Sequence, residues 1–207
     1  GLSLREYLSV QRRNLTGGEL SAILRQLSDG LLVLHSLGIL HHDISPDAIW
    51  LCIDGTVKLA RCGAARRVLS TCRELSEGEP ALDIRSLGQT LFYAYTGFTS
   101  LGELPDGGGS MPPILLGIFE RMLSDAPSMC FSGIFDLRHA VSQMDIPPAR
   151  LPVTVDMVDG YRTALQRERA EATRPAPAQR TEPDTRDPEP AVEAQAAKKG
   201  RLHQNWK

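Results

Sequence analysis

What this chain lacks narrows its role before any motif is considered. It has no long apolar run: the strongest, Ile114-Leu115-Leu116-Gly117-Ile118-Phe119, falls far short of the roughly 20 residues that a membrane-spanning helix needs. No basic segment followed by an apolar one opens the chain, so no secretory leader is legible. It begins on Gly1 rather than Met and reads as a fragment or a processed product. Net charge is only −2 over 207 residues, so no global field draws the chain to nucleic acid or to an anionic membrane. The four cysteines, Cys52, Cys62, Cys72 and Cys130, form no C-x-x-C pair and have no histidine at finger spacing, which argues against a zinc site. They read as free thiols in a reducing compartment, and the cytoplasm is the expected location.

What is present suffices for one sizeable core, with hydrophobic residues making up 42% of the chain. Composition changes near residue 172. Beyond it lie Thr173 to Arg180, then Pro183, Pro188 and Pro190 among acidic residues and alanines, a mixture too polar to offset chain entropy by burial. A disordered tail over 172–207 is the expectation, ending in a basic stretch that contains Trp206. Three parts follow: a globular unit over 1–146, a linker with a trailing amphipathic helix over 147–171, and that tail.

Within the globular part, Ser3 to Leu8 is a short helix candidate. Thr16 followed by Glu19 fits a capping box, and Leu20, Ile23, Leu24, Leu27, Leu31 and Leu34 recur at helical spacing to a stop at Gly38. Gly30 costs this helix about 1 kcal/mol against Ala, so it reads as a point of close approach to a neighbour. Ala48–Ile53 and Thr56–Ala60 are short apolar runs around Asp54-Gly55, which signals a type I′ hairpin. Helices are predicted over Asp83–Tyr95 with a stop at Gly97, over Pro112–Leu123 and over Phe135–Met144. Pro147 and Pro148 break the pattern, and Val155, Val158, Tyr161 (or Arg162) and Leu165 form the stripe of a last helix.

Three segments, in order, resemble the protein-kinase family. His41-His42-Asp43-Ile44-Ser45-Pro46-Asp47-Ala48-Ile49 resembles the catalytic loop H-R-D-L-x-x-x-N. Asp54-Gly55-Thr56-Val57-Lys58-Leu59 resembles the hairpin leading to the metal-binding loop, and Asp83-Ile84-Arg85-Ser86-Leu87-Gly88 the buried central helix. The resemblance implies a mainly α fold, that of a kinase-like C-lobe: a helical bundle with one short β-hairpin. No N-lobe is legible, since neither a Gly-rich loop nor a V-A-I-K strand is present.

The departures from the family fall on its chemistry. A kinase loop needs an Asp to accept the substrate proton and an Asn to hold Mg²⁺. Asp43 is present, but Ala48 stands at the Asn position and Ser45 at the usual basic position. Arg61-Cys62-Gly63 stands where D-F-G belongs, so a cation replaces the metal-binding carboxylate and Gly63 alone survives. The segment between there and Glu79-Pro80-Ala81, a degenerate A-P-E, is short. The expectation is a catalytically inactive domain without catalytic residues, metal or cofactor. Asp43 then reads less as a base than as a brace, together with His41, for the loop backbone. The resemblance implies that Asp83 accepts bonds from that same backbone.

Further stretches resemble the KIND domain, the non-catalytic C-lobe module of the kinase family. They are Leu2-Ser3-Leu4-Arg5-Glu6-Tyr7-Leu8, Asn14 to Leu20, Ser86 to Phe92 and Pro113 to Ile118. The helix after the core leans toward the Spire-type group. That resemblance implies a cytoplasmic, cytoskeleton-associated scaffold: an actin-related interaction module docking a basic formin-type tail or another signalling protein in an acidic groove. Glu74, Glu77 and Glu79 are the candidate groove residues, against the plainer reading of a solvated acidic loop. A degenerate pseudokinase, or a kinase fragment whose N-lobe lies upstream, is the alternative.

Overall fold

The computed structural model describes residues 1–61, 66–67, 79–108, 111–126 and 128–172. The chain enters as strand β1 (Leu2–Ser3) and turns at once into helix α1 (Leu4–Gln11). Ser3 caps it: its hydroxyl accepts from the Glu6 amide at 3.2 Å, while the Glu6 carboxylate accepts from the Ser3 amide at 2.8 Å. The helix runs three residues beyond the predicted Leu8 and ends where Arg12 turns left-handed, at φ 51°.

Helix α2 (Gly17–Ser36) is the central rod. Thr16 and Glu19 form the reciprocal capping box, and Leu20, Ile23, Leu24, Leu27 and Leu31 are buried along one stripe. The helix stops at Gly38, whose φ of 67° no side chain adopts comfortably. Gly30 departs from its sequence reading: a Cβ there meets nothing within 4 Å, so no neighbour approaches.

Strand β2 (Ile39–Leu40) leads into the 41–48 loop, followed by the antiparallel pair β3 (Ile49–Leu51) and β4 (Val57–Leu59). The turn between them is not the two-residue type I′ form, because Asp54 is not at positive φ and Gly55 is, at 84°. The Gly55 amide donates to Cys52 at 3.0 Å and the Cys52 amide to Thr56 at 2.8 Å. This is the three-residue loop in which glycine takes the left-handed bulge position. Nor does the hairpin stand alone. β1 pairs antiparallel with β3, giving a three-stranded sheet in the order β1-β3-β4, and β2 pairs with β5 (Arg66–Arg67).

Four more α-helices follow among the described residues. Helix α3 (Glu79–Thr96) begins four residues before Asp83, so Glu79-Pro80-Ala81 forms its first turn, where proline is tolerated. Helix α4 (Pro113–Leu123) packs against it through Phe92 and Phe119, edge to face at 5.3 Å between centroids. Gly88 permits that approach: a Cβ there would lie 2.8 Å from the Met122 Cβ. Helix α5 (Ile134–Ser142) seals α2, and Arg121 lies 3.9 Å over the ring of Phe131. The segment after it wraps α2: Ser21 donates to the Ile146 carbonyl at 2.8 Å and the Ala149 amide to Gly18 at 2.9 Å.

Leu151, Val153 and Val158 join the main core, the last from helix α6 (Val155–Ala172). Tyr161 packs partly buried against that core, whereas Val155, placed on the same stripe in the sequence, is exposed. The fold is mainly helical with a small sheet, in the manner of a kinase C-lobe. Among the described residues no helix is long and apolar enough to cross a membrane.

Candidate functional site

The 41–48 loop is held by a single carboxylate from the helix behind it. Asp83, in α3 and 1% exposed, accepts from the His41 amide at 2.8 Å and the His42 amide at 2.8 Å. The His35 ring, from the last turn of α2, adds a third bond from Nε2 at 3.0 Å. Burial pushes this carboxyl upward, but the three donors outweigh it, and its pKa lies below the ordinary Asp value. An ionised acceptor buried against two backbone amides is strong because each bond is charge-assisted.

His41 is the second anchor, and its ring is wholly buried. Nε2 lies 2.9 Å from the Ala60 carbonyl, which can only accept, and Nδ1 lies 3.3 Å from the Asp43 amide, which can only donate. Those partners fix the neutral Nε2–H tautomer. The ring therefore ties the loop to the end of β4. Further ties come from Thr90, whose hydroxyl donates to Ile44 at 3.3 Å, and from Arg5. The Arg5 amide reaches the Pro46 carbonyl at 3.2 Å, and its guanidinium pairs with Asp47 at 2.8 Å.

Of the three residues read as braces, the structure brings His41 and Asp83 together and leaves the Asp43 carboxylate outside. Asp43 is exposed, and its carboxylate makes no hydrogen bond among the described residues; only its backbone takes part. His42 stands in the left-handed region at φ 62°, as does Arg61 at φ 63°. A β-turn-like bond from the Ala48 amide to the Ser45 carbonyl (2.9 Å) closes the loop, and the Ala60 amide bonds the Ala48 carbonyl at 2.7 Å.

A kinase places Mg²⁺ here, and the residues present do not fit it. The Ala48 methyl is fully buried and offers no donor atom. Arg61, exposed at the end of β4, brings a cation to the place of the carboxylate. Among the described residues, no group of three or more His, Cys, Asp or Glu side chains could hold a metal ion. Gly63, Glu74 and Glu77 lie outside the described residues, as does the side chain of Glu79. Cys52 and Cys130 are half-buried free thiols; Cys62 and Cys72 lie outside the described residues.

His35 and His42, near the loop, read from the sequence as hydrogen-bonding histidines rather than ligands; the His35 ring bonds Asp83 through Nε2, while its Nδ1 is buried without a partner among the described residues. One feature escaped the sequence reading, a charge cluster at the α1–α2 junction. Glu19, 3% exposed, accepts from the Tyr7 hydroxyl at 2.6 Å, from both terminal nitrogens of Arg13 at 2.8 Å and from the Thr16 amide at 2.8 Å. Burial alone would raise this carboxyl; the bonds from Arg13, Thr16 and Tyr7 prevail and bring it from 4.5 to about 2. Burial and the Glu19 contact together push the Tyr7 hydroxyl well above the ordinary tyrosine value.

The sequence comparisons agree with this geometry at the level of the kinase-like fold. Serine/threonine-protein kinase STK11 of Homo sapiens is 31% identical over 168 residues, covering 63% of this chain and 38% of that kinase. Its Rattus norvegicus counterpart is 30% identical over 184 residues, covering 67% and 41%. Serine/threonine-protein kinase PknL of Mycobacterium tuberculosis is 30% identical over 145 residues, covering 61% and 34%. The chain thus spans well under half the length of the curated relatives it matches. No family model matches it. The likeness to two separate kinases, together with the helical architecture, makes this a kinase-like domain.

Proposed function

We propose that this kinase-like domain is non-catalytic and works by binding other proteins. The supporting observation is the pair Ala48 and Arg61: a buried methyl and a cation stand at the two metal-binding places of the kinase motif. Phosphoryl transfer is chiefly electrostatic positioning by Mg²⁺ and its ligands, so exchanging both ligands removes its basis. The backbone scaffold around the loop is meanwhile kept by Asp83 and His41. A retained fold with altered chemistry is what a docking module of the KIND type requires. On this reading the domain docks a basic, formin-type tail through Glu74, Glu77 and Glu79, as part of a cytoplasmic scaffold linked to actin assembly.

A titration of the full chain with Mg-ATP tests the non-catalytic part. A ligand of the folded state raises stability by RT ln(1 + [L]/Kd), about 2.7 kcal/mol at a hundredfold excess over Kd. The expected result is an unchanged Tm; a clear rise overturns the proposal. Titration with a Lys/Arg-rich peptide tests the docking part. Binding that survives Glu74→Lys, Glu77→Lys and Glu79→Lys together would sink the acidic groove while leaving the non-catalytic reading intact.

One observation favours the second reading, a piece of a degenerate kinase whose N-lobe lies upstream. Trp50 and Ile53 are exposed, at 38% and 41%, on the hairpin next to the loop. An apolar patch of that kind suits a second lobe. Recovering the transcript upstream of Gly1 decides between the two.

A further inference from the structure

Helix α6 is firmly attached at one end only. The segment before it is fixed: the Ala149 amide donates to Gly18 at 2.9 Å, and Leu151 and Val153 are buried. Beyond Thr154, whose hydroxyl accepts from the Met157 amide at 3.3 Å, Val158 is the one fully buried residue of the helix. Met157, Tyr161 and Leu165 are half-buried, and residues 166–172 are all exposed. Gly160 weakens the helix without serving a close approach, since a Cβ there meets nothing within 4 Å. An element with so few buried apolar contacts opens locally, at less cost than global unfolding.

Docking of this helix sets a phenol among carboxylates. Gln11 Nε2 lies 3.8 Å from the Met157 sulfur, and Tyr161, one turn on, lies within the field of Glu6 and Asp47. The helix therefore runs back along α1 toward the kinase-like loop. Both carboxylates are held in place, Glu6 by the Ser3 amide at 2.8 Å and Asp47 by the Arg5 guanidinium at 2.8 Å. Burial first, then Glu6, Glu168 and Asp47, push the Tyr161 hydroxyl above the ordinary tyrosine value, while Arg169 pulls it the other way. Glu168 travels with α6 when the helix opens; Glu6 and Asp47 stay behind on the lobe.

We propose that Tyr161 is a phosphorylation site whose modification releases α6 from α1. A separate tyrosine kinase supplies the phosphoryl group from ATP. The bond between the γ-phosphorus and its bridging oxygen breaks, a bond from that phosphorus to the Tyr161 oxygen forms, ADP leaves, and the phenolic proton passes to the modifying enzyme's base. The half-buried phenol is reached while α6 is locally open. Once it carries a phosphate of about −1.5 to −2 charge, redocking would bring that charge back to Glu6 and Asp47 and strip water from it. The open state is thus trapped, and the surface of α1 beside the 41–48 loop is uncovered. This holds whether or not the lobe itself transfers phosphate.

Hydrogen exchange of the full chain provides the test, comparing Tyr161→Glu with Tyr161→Gln, which match in size and differ in charge. Two like-charge pairs at a surface change an opening equilibrium about three- to tenfold. The amides of residues 158–165 exchange faster by that factor in Tyr161→Glu, while those of α2 and α3 are unchanged. Adding Glu6→Gln, which keeps an oxygen for the Ser3 amide, removes about half of the difference or more, as does raising salt from roughly 50 to 500 mM. Equal exchange in the two variants overturns the charge mechanism, as does a difference that neither Glu6→Gln nor salt reduces. A tyrosine kinase selected for activity on the isolated 155–167 peptide supplies the second arm. Treated with it and Mg-ATP, the full chain acquires phosphate on Tyr161, located by mass spectrometry, and α6 exchange accelerates at least as much as in Tyr161→Glu. An unmodified Tyr161, or a phosphorylated one with unchanged exchange, overturns the assignment.

Discussion

The backbone amide of His41 donates to the carboxylate of Asp83 at 2.8 Å, joining the loop to a helix 42 positions further along the chain. The same carboxylate takes the His42 amide, and His35 bonds it from a third side. One side chain thus satisfies two backbone donors that no regular secondary structure serves. The loop's shape, with His42 left-handed at φ 62°, depends on that side chain.

Asp83→Asn tests this directly. The amide keeps one oxygen and turns an NH₂ toward a backbone N–H, so at least one buried donor is left unpaired. The expected loss is about 3 kcal/mol of unfolding free energy, read as a fall in the urea midpoint at unchanged m. His35→Ala removes one of the three bonds and leaves both amides paired, so it costs less than half as much. Equal losses in the two variants would show that Asp83 does not organise the loop.

Glu19 sets a pH dependence whose sign is fixed. Its folded pKa is depressed from 4.5 to about 2, so its contribution is complete above the unfolded value. It declines as pH falls from about 4.5 through 2, because the unfolded chain there binds a proton the folded chain refuses. Asp83 shifts in the same direction, so wild-type acid unfolding carries both. Glu19→Gln isolates one: its stability should vary less between pH 4.5 and 2 than that of the wild type. The difference is of order 1–2 kcal/mol, after allowing for solvent screening at the half-exposed Arg13. Parallel pH curves for the two proteins would refute the assignment.

Gln26 clamps the outer edge of β4. Its Oε1 accepts from the Val57 amide at 2.9 Å and its Nε2 donates to the Gly55 carbonyl at 3.2 Å, closing backbone groups that an edge strand otherwise leaves open. Gln26→Ala removes both bonds and should lower stability by about 1–2 kcal/mol. Amide exchange at Val57 should accelerate in that variant, while exchange along α3 follows only the global change. An unaltered Val57 rate would mean that water serves the edge equally well.

Local signals carried most of the helices. Thr16 with Glu19 and Ser3 with Glu6 are short-range capping pairs, and the leucine stripe of α2 is periodic, so both are written in neighbouring residues. The sheet was less legible because β1 contributes only Leu2 and Ser3, and its partner Leu51 lies 49 positions away. The loop's place followed from motif order, and the resemblance also pointed to Asp83 as the acceptor of its backbone amides. That the Asp43 carboxylate faces outward depends on packing, which the motif does not record. Glu19 was visible as a cap, yet its bonds to Tyr7 and Arg13 require α1 to fold back on α2. Gly30 illustrates the reverse error, since a helical glycine can mean close packing or nothing at all.

Gly30 and Gly88 together separate those two meanings. Both lie inside helices, where glycine costs about 1 kcal/mol relative to alanine. A Cβ at Gly30 meets nothing within 4 Å, whereas one at Gly88 would lie 2.8 Å from the Met122 Cβ on the facing helix. Gly30→Ala should therefore stabilise the protein by about 0.5–1 kcal/mol, by restricting the unfolded chain and favouring α2. Gly88→Ala gains the same propensity but must push α4 away from α3, at about 1–3 kcal/mol for overpacking, and the net effect is destabilising. Thermal unfolding of the two variants beside wild type decides the matter, with Tm moving up for one and down for the other. A rise for Gly88→Ala would show that the α3–α4 contact yields readily, and that the glycine is there for some reason other than space.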